Sequence, residues 1–168
     1  GNYLLSQGHR DVIYFGFGYS WFFRVRSSTF LRTIEDGGGS VLMIQETLHP
    51  SRTGEASTVA AAAANVIETW KKQTKRPTAI FVAEDWLLRP LYAAAAAAGV
   101  RIGQDLSVVS CNNSRVHFEG LTPTPATIDI HFERIASRSV EQLAYRLQKP
   151  AVAGDRLRIL VEPTLVLP

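Results

Sequence analysis

Apolar positions along the chain come in short unbroken runs: Val12-Ile13-Tyr14-Phe15, Val41-Leu42-Met43-Ile44, Ala79-Ile80-Phe81-Val82 and Leu106-Ser107-Val108-Val109. Runs that are continuously apolar, instead of alternating, predict strands covered on both faces. Between them the spacing turns helical. Phe22 to Ile34 sets Phe23, Phe30 and Ile34 on one stripe, and Ala56 to Lys72 sets Val59, Ala63, Val66, Ile67 and Trp70 on another. Trp86 to Ala98 predicts a third helix that stops at Gly99, with Pro90 kinking it or delaying its regular part by a turn. A strand–helix repeat of this kind predicts an α/β fold: a doubly wound parallel sheet with right-handed crossovers.

The rhythm then changes. Leu121-Thr122-Pro123-Thr124-Pro125 is a Pro-rich link, and Ala126-Thr127-Ile128-Asp129 is short and extended. His131 to Gln148 aligns Phe132, Ala136, Val140, Leu143 and Leu147 as an amphipathic helix. Pro150 to Gly154 reads as a loop and Arg158 to Leu167 as a last strand. The alanine runs Ala60–Ala64 and Ala93–Ala98 sit within apolar helical faces, where small side chains allow close helix packing or a subunit contact.

The 168 residues suit one domain, or one domain with part of another. Lysine and arginine are scattered despite the net charge of +3, so no clustered basic face predicts direct nucleic-acid binding. A single cysteine, Cys111, excludes a disulfide framework and suits a reducing compartment. No stretch approaches the roughly 20 apolar residues a membrane helix needs, and Gly1-Asn2-Tyr3-Leu4-Leu5 does not read as a signal peptide. No membrane partner is expected.

Ligands of an open parallel sheet bind beyond the carboxyl ends of its strands. There the sequence places Gly16-Phe17-Gly18-Tyr19-Ser20-Trp21-Phe22-Phe23, then Gln45-Glu46-Thr47, Glu84-Asp85-Trp86 and Asn112-Asn113-Ser114-Arg115. Aromatic faces with amides, carboxylates and hydroxyls suit a small polar ligand with a ring face, such as a sugar. Some of these residues are alternatively helix caps, Ser20 and Asp85 above all. Enzyme chemistry finds little support. Gly16-x-Gly18 lacks the third glycine of a dinucleotide loop, because Trp21 stands there. His9, His49, His117 and His131 lack metal spacing, and no histidine is set beside Cys111 by the sequence. No catalytic residue, metal ligand or cofactor is therefore expected.

Six segments in order resemble LacI/GalR-type transcriptional regulators. They are Gln7 to Gly16, Arg24-x-Arg26-x-x-Thr29-Phe30, Arg76 to Asp85, Gly99 to Ser110, Pro125 to Ile128 and Val161 to Val166. The resemblance implies the C-terminal portion of a periplasmic-binding-protein-like effector domain, not an enzyme. Residues 1–128 and 158–168 would form its C-terminal lobe with flanking helices. Residues 129–157 would be a crossover helix belonging to a mostly absent N-terminal lobe, with Asp129–His131 and Val152–Arg156 as hinge strands. By the same resemblance Arg26 matches an effector-contacting arginine, while Glu84 and Asn112 stand where the family has an amide and a carboxylate, exchanged. Trp21, Phe22 and Tyr19 would supply the stacking face. Thr29 and the Asn112-Asn113 pair depart from the family pattern and argue against a standard hexose.

The implied partners are a small-molecule effector, expected to be a carbohydrate, and DNA through a head of LacI or GntR type absent from this chain. A homodimer would form along Trp86–Ala98, the start of Ala56–Ala64 and Val116–Leu121, in the cytoplasm. The alternative is a solute-binding protein of a sugar import system.

Overall fold

The computed structural model describes residues 1–46, 56–148 and 157–168. The elements follow as α1 (Asn2–Ser6), β1 (Asp11–Phe17), α2 (Trp21–Asp36), β2 (Ser40–Glu46), α3 (Ala56–Lys72) and β3 (Ala79–Val82). A 3-10 turn (Asp85–Leu87) leads into α4 (Leu88–Ala97), and then come β4 (Ser107–Cys111), β5 (Ala126–Asp129), α5 (Phe132–Gln148) and β6 (Thr164–Val166).

One six-stranded sheet in the order β2-β1-β3-β4-β5-β6 forms the middle layer. The first five strands are parallel and β6 is antiparallel to β5. Residues Val12 to Phe17 of β1 are all buried, as a central strand with helices on both faces requires. On one face Ile13, Phe15, Ile80 and Val82 meet Val59, Ala63, Val66 and Ile67 of α3 and Leu88, Leu91 and Ala95 of α4. On the other, Val12, Tyr14, Ala79 and Phe81 meet Leu4 of α1 and Phe30 and Ile34 of α2. The doubly wound α/β architecture expected from the sequence is thus present.

The alanine runs divide by face. Ala62, Ala63 and Ala95 are buried, whereas Ala60, Ala61, Ala64, Ala93, Ala96 and Ala97 are exposed. Gly99 ends α4 with φ +69°, a left-handed conformation that lets the Val100 N–H reach Ala95 O at 2.9 Å. Trp70 closes α3 onto the approach to β3 by donating its indole N–H to Pro77 O at 2.7 Å.

Of the two outcomes expected of Pro90 the delay is found, and two other points differ from the sequence reading. The third helix begins regularly at Leu88, after the 3-10 turn, with Pro90 in its first turn, where a missing N–H costs no intrahelical bond. The final strand is confined to Thr164–Val166, which pairs with Thr127 to Asp129 of β5. The five-residue α1 forms where the sequence pattern gave no helix signal. Thr47, the Pro150–Gly154 loop and the Val152–Arg156 hinge strand lie outside the described residues.

α5 stands apart from both cores and buries none of its residues. Phe132, Val140, Leu143 and Leu147 of its predicted stripe are 55–78% exposed. Beside it Ile135, Leu143, Leu157, Ile159, Leu160 and Val161 bound a hollow of about 650 Å³.

Candidate functional site

The parallel strands all deliver their carboxyl ends to one edge. At that edge β1 and β3 come very close: a Cβ built on Gly16 would lie 2.6 Å from the Ala83 Cβ, so only glycine fits there. Gly16 opens the turn into α2, whose N-cap position is held by Ser20 with extended backbone. The Ser20 hydroxyl makes no cap bond, and its oxygen is buried without a partner.

Arg26, one and a half turns into α2, reaches back over the end of β3 and donates to Ala83 O. Its guanidinium also lies 6.0 Å from the Phe23 ring centroid. Glu84 follows Ala83 and is half-buried between these groups. Burial pushes its carboxyl above the ordinary value, while the Trp86 indole N–H, the Arg26 charge and the Asn112 side chain oppose that rise. The Tyr19 phenol is raised by burial and by the Glu84 charge. Arg26, Glu84, Asn112 and Tyr19 therefore share one corner. Trp21 and Phe22 occupy the first turn of α2 on the same edge, 69% and 47% exposed.

Asp85 behaves otherwise than its sequence position suggests. It caps no helix; the N-cap of the 3-10 turn is Glu84. Its side chain is fully buried, and its oxygens accept the Ser114 backbone N–H at 2.6 Å and the Thr127 hydroxyl at 3.2 Å. The Thr127 oxygen in turn accepts the Asn113 N–H at 3.3 Å, and Ile128 O accepts that of Asn112 at 2.8 Å. These bonds accompany φ of 119° and 58° at the two asparagines, and asparagine enters the left-handed region more readily than most side-chain-bearing residues. Burial raises the Asp85 carboxyl, against the hydrogen bonds that favour its charge.

Asn112 also borders a polar hollow of about 510 Å³ with Asn113, Ser114, Arg115, Asp129 and His131. Asp129 closes one side of it: its Oδ1 accepts the His131 N–H at 2.7 Å and its Oδ2 the Asn113 amide at 3.1 Å, which lowers its carboxyl. The His131 ring, with φ 56° at its backbone, lies 3.2 Å from the Thr164 hydroxyl and so joins β5 to β6.

Sequence reasoning placed Trp86 and Asp85 at this edge and Asp129–His131 in a hinge, without the roles the structure gives them. Trp86 stacks on Phe17 at 5.5 Å and 18° and donates to Glu84. Asp85 and the Asp129–His131–Thr164 group do their work through contacts between strands distant in sequence. Cys111 ends a buried strand, and burial pushes its thiol up to about 11, which disfavours the nucleophilic thiolate.

Residues 2–167 match the family model of the periplasmic binding protein-like domain. The chain is 28% identical over 172 residues to the HTH-type transcriptional repressor PurR of Edwardsiella ictaluri, covering 99% of this chain and 46% of that protein. It is 33% identical over 102 residues to the ribose operon repressor of Haemophilus influenzae, covering 60% and 30%. A LacI family transcriptional regulator from Mycobacterium smegmatis superposes with a TM-score of 0.75 at 21% identity, covering 99% of this chain and 59% of that one. A regulatory protein of the LacI family from Chloroflexus aggregans gives 0.76 at 20%, covering 98% and 56%. The chain spans less than half the length of the curated relatives it matches.

Proposed function

This chain belongs to the periplasmic binding protein-like domain family, as an effector-binding domain of the LacI/GalR type, and we propose that it is the small-molecule sensor of a DNA-binding transcriptional regulator. The observation that carries the reading is the convergence of Arg26, Glu84, Asn112 and Tyr19 at the carboxyl edge of a parallel sheet, with Trp21 and Phe22 exposed beside them. Arg26 spends one nitrogen on Ala83 O and keeps further N–H groups for a ligand. A fork of that kind can hold two ligand oxygens at once, as vicinal hydroxyls present them, and the aromatic faces suit the apolar side of a sugar ring. A carbohydrate effector is therefore our reading, with no enzymatic step.

The solvent-facing apolar side of α5 supports the division in which 129–157 belongs with a second lobe, and 1–128 with 158–168 forms the lobe described above. A ligand bridging both lobes would favour a closed form and alter how a homodimer presents its DNA-binding heads. The exposed alanines of α3 and α4 support a dimer contact along those helices. No helix among the described residues is long and apolar enough to cross a membrane.

Calorimetric titration of the full-length protein with neutral pentoses and hexoses tests the proposal. Binding by one of them, weakened at least tenfold in Arg26→Ala, is the expected outcome. Unchanged affinity in that variant removes Arg26 from the site, and no binding by any sugar rejects the carbohydrate reading.

A further inference from the structure

We propose that Trp86 is a positioning residue of this cleft: its indole N–H holds the Glu84 carboxylate in place as the acceptor that faces a ligand. The inference rests on the effector-binding reading for the word ligand, but the device itself is built from this chain's own contacts.

Trp86 is not free to swing. Its ring lies against Phe17 at 5.5 Å and 18°, and Phe17 is fully buried at the end of β1. An indole nitrogen only donates, so its bond to Glu84 Oε2 has one direction. A carboxylate only accepts, so the Asn112 side chain, which favours the charged form of Glu84, does so through its Nδ2. That leaves the Asn112 Oδ1, which is buried and has no partner. The Trp86 N–H therefore pins the Glu84 carboxylate, with the Asn112 amide beside it. An unpartnered buried acceptor is costly, and the corner holds it beside the Glu84 carboxylate.

The position is also electrically exposed to change. Around Glu84 stand Arg26 from α2, Asp85 next in the chain, Tyr14 from β1, Tyr19 after it and Cys111 from β4. Burial favours the neutral acid, which would turn an acceptor into a donor. The Trp86 N–H is the foremost hydrogen bond working against that change, ahead of the Arg26 charge and the Asn112 amide. Without it the recognition chemistry of the corner would drift toward its opposite as the pH falls.

The test is a pH titration of the full-length protein carrying isotope-labelled tryptophan, followed by the indole N–H resonances in NMR. Trp70 donates to a backbone carbonyl and Trp21 is largely exposed, so the Trp86 signal alone should follow a carboxylate. Its assignment comes from its loss in Trp86→Phe. The expected result is one titration step for Trp86, at a pH above that of an ordinary glutamate, abolished in Glu84→Gln. In Trp86→Phe the ring still stacks on Phe17 while the donor is gone, and the Asn112 side-chain amide should then report Glu84 titrating at a higher pH than in the parent. A Trp86 signal indifferent to Glu84→Gln, or an Asn112 titration unmoved in Trp86→Phe, overturns the proposal. Neither readout uses a ligand, so a failure of every sugar to bind would reject the carbohydrate reading separately.

Discussion

The backbone N–H of Ser114 donates to Asp85 Oδ2 at 2.6 Å, so a carboxylate with no exposure to solvent anchors the loop that presents Asn112. The same carboxylate takes the Thr127 hydroxyl, so one side chain at the end of β3 fixes both the exit of β4 and the middle of β5. Asp85→Ala would leave two buried donors unpartnered. The expected cost is about 3 kcal/mol in urea unfolding, with Asp85→Asn, which retains one acceptor oxygen, losing less. An Asp85→Ala variant within about 0.5 kcal/mol of the parent would show that the loop does not depend on this anchor.

Gly16 and Ala83 set the spacing of β1 and β3 where the cleft begins. A methyl group at Gly16 meets the Ala83 methyl at 2.6 Å and the Tyr14 ring at 3.1 Å, and neither strand can retreat without opening a central pair. Gly16→Ala should cost about 2 kcal/mol, and adding Ala83→Gly should recover most of it. Thermal melts of the two single variants and the double variant give the coupling; additive losses would place the obstruction elsewhere.

The strands were legible because burial on both faces writes an unbroken apolar run, and the Ala79–Val82 and Ala56–Lys72 elements coincide with their sequence limits at both ends. The edge of the sheet that carries the polar groups followed from topology. What the pattern could not convey is direction and partnership. Asp85 sits one residue before a helical stretch, as a cap would, and only the fold shows that its carboxylate is swallowed by β4 and β5. Trp86 has the same local signal as any aromatic in a helical first turn, and its role depends on Phe17 lying beneath it. His131 takes a left-handed backbone without being glycine, a choice fixed by its bonds to Asp129 and Thr164. The last strand was overread because Arg158 to Leu167 is apolar enough for a strand, whereas Leu157, Ile159 and Leu160 lie exposed beside α5.

Arg101 grips Asp105 through both its backbone N–H, at 2.8 Å, and its guanidinium, at 2.6 and 2.9 Å, and this clamp shapes the turn leading into β4. The bonds hold the Asp105 carboxyl down at about 2. A carboxylate with a lowered folded pKa contributes stability above its unfolded value and loses it as the pH falls through the folded one. Asp105→Asn should therefore melt lower than the parent at neutral pH, with the gap closing between about pH 4.5 and pH 2. A gap independent of pH would assign the effect to the hydrogen-bonding shape of the side chain alone.

Glu84 has the opposite sign. Burial raises its folded carboxyl above the unfolded value, so the charge needed for recognition is held at a cost to the fold at neutral pH. As the pH falls through the raised value the folded state takes up a proton more readily than the unfolded one, and the cost disappears. Glu84→Gln removes the buried charge and keeps an oxygen for the Trp86 N–H. It should therefore raise stability at pH 7, with the gain fading on acidification. The same substitution should weaken ligand binding, because the ligand loses a charged acceptor. Melting curves at pH 7 and pH 5, set beside calorimetry on the same variant, separate the two effects. A Glu84→Gln protein that is less stable at pH 7 would mean that the carboxylate is a net support of the fold, not a strained recognition group.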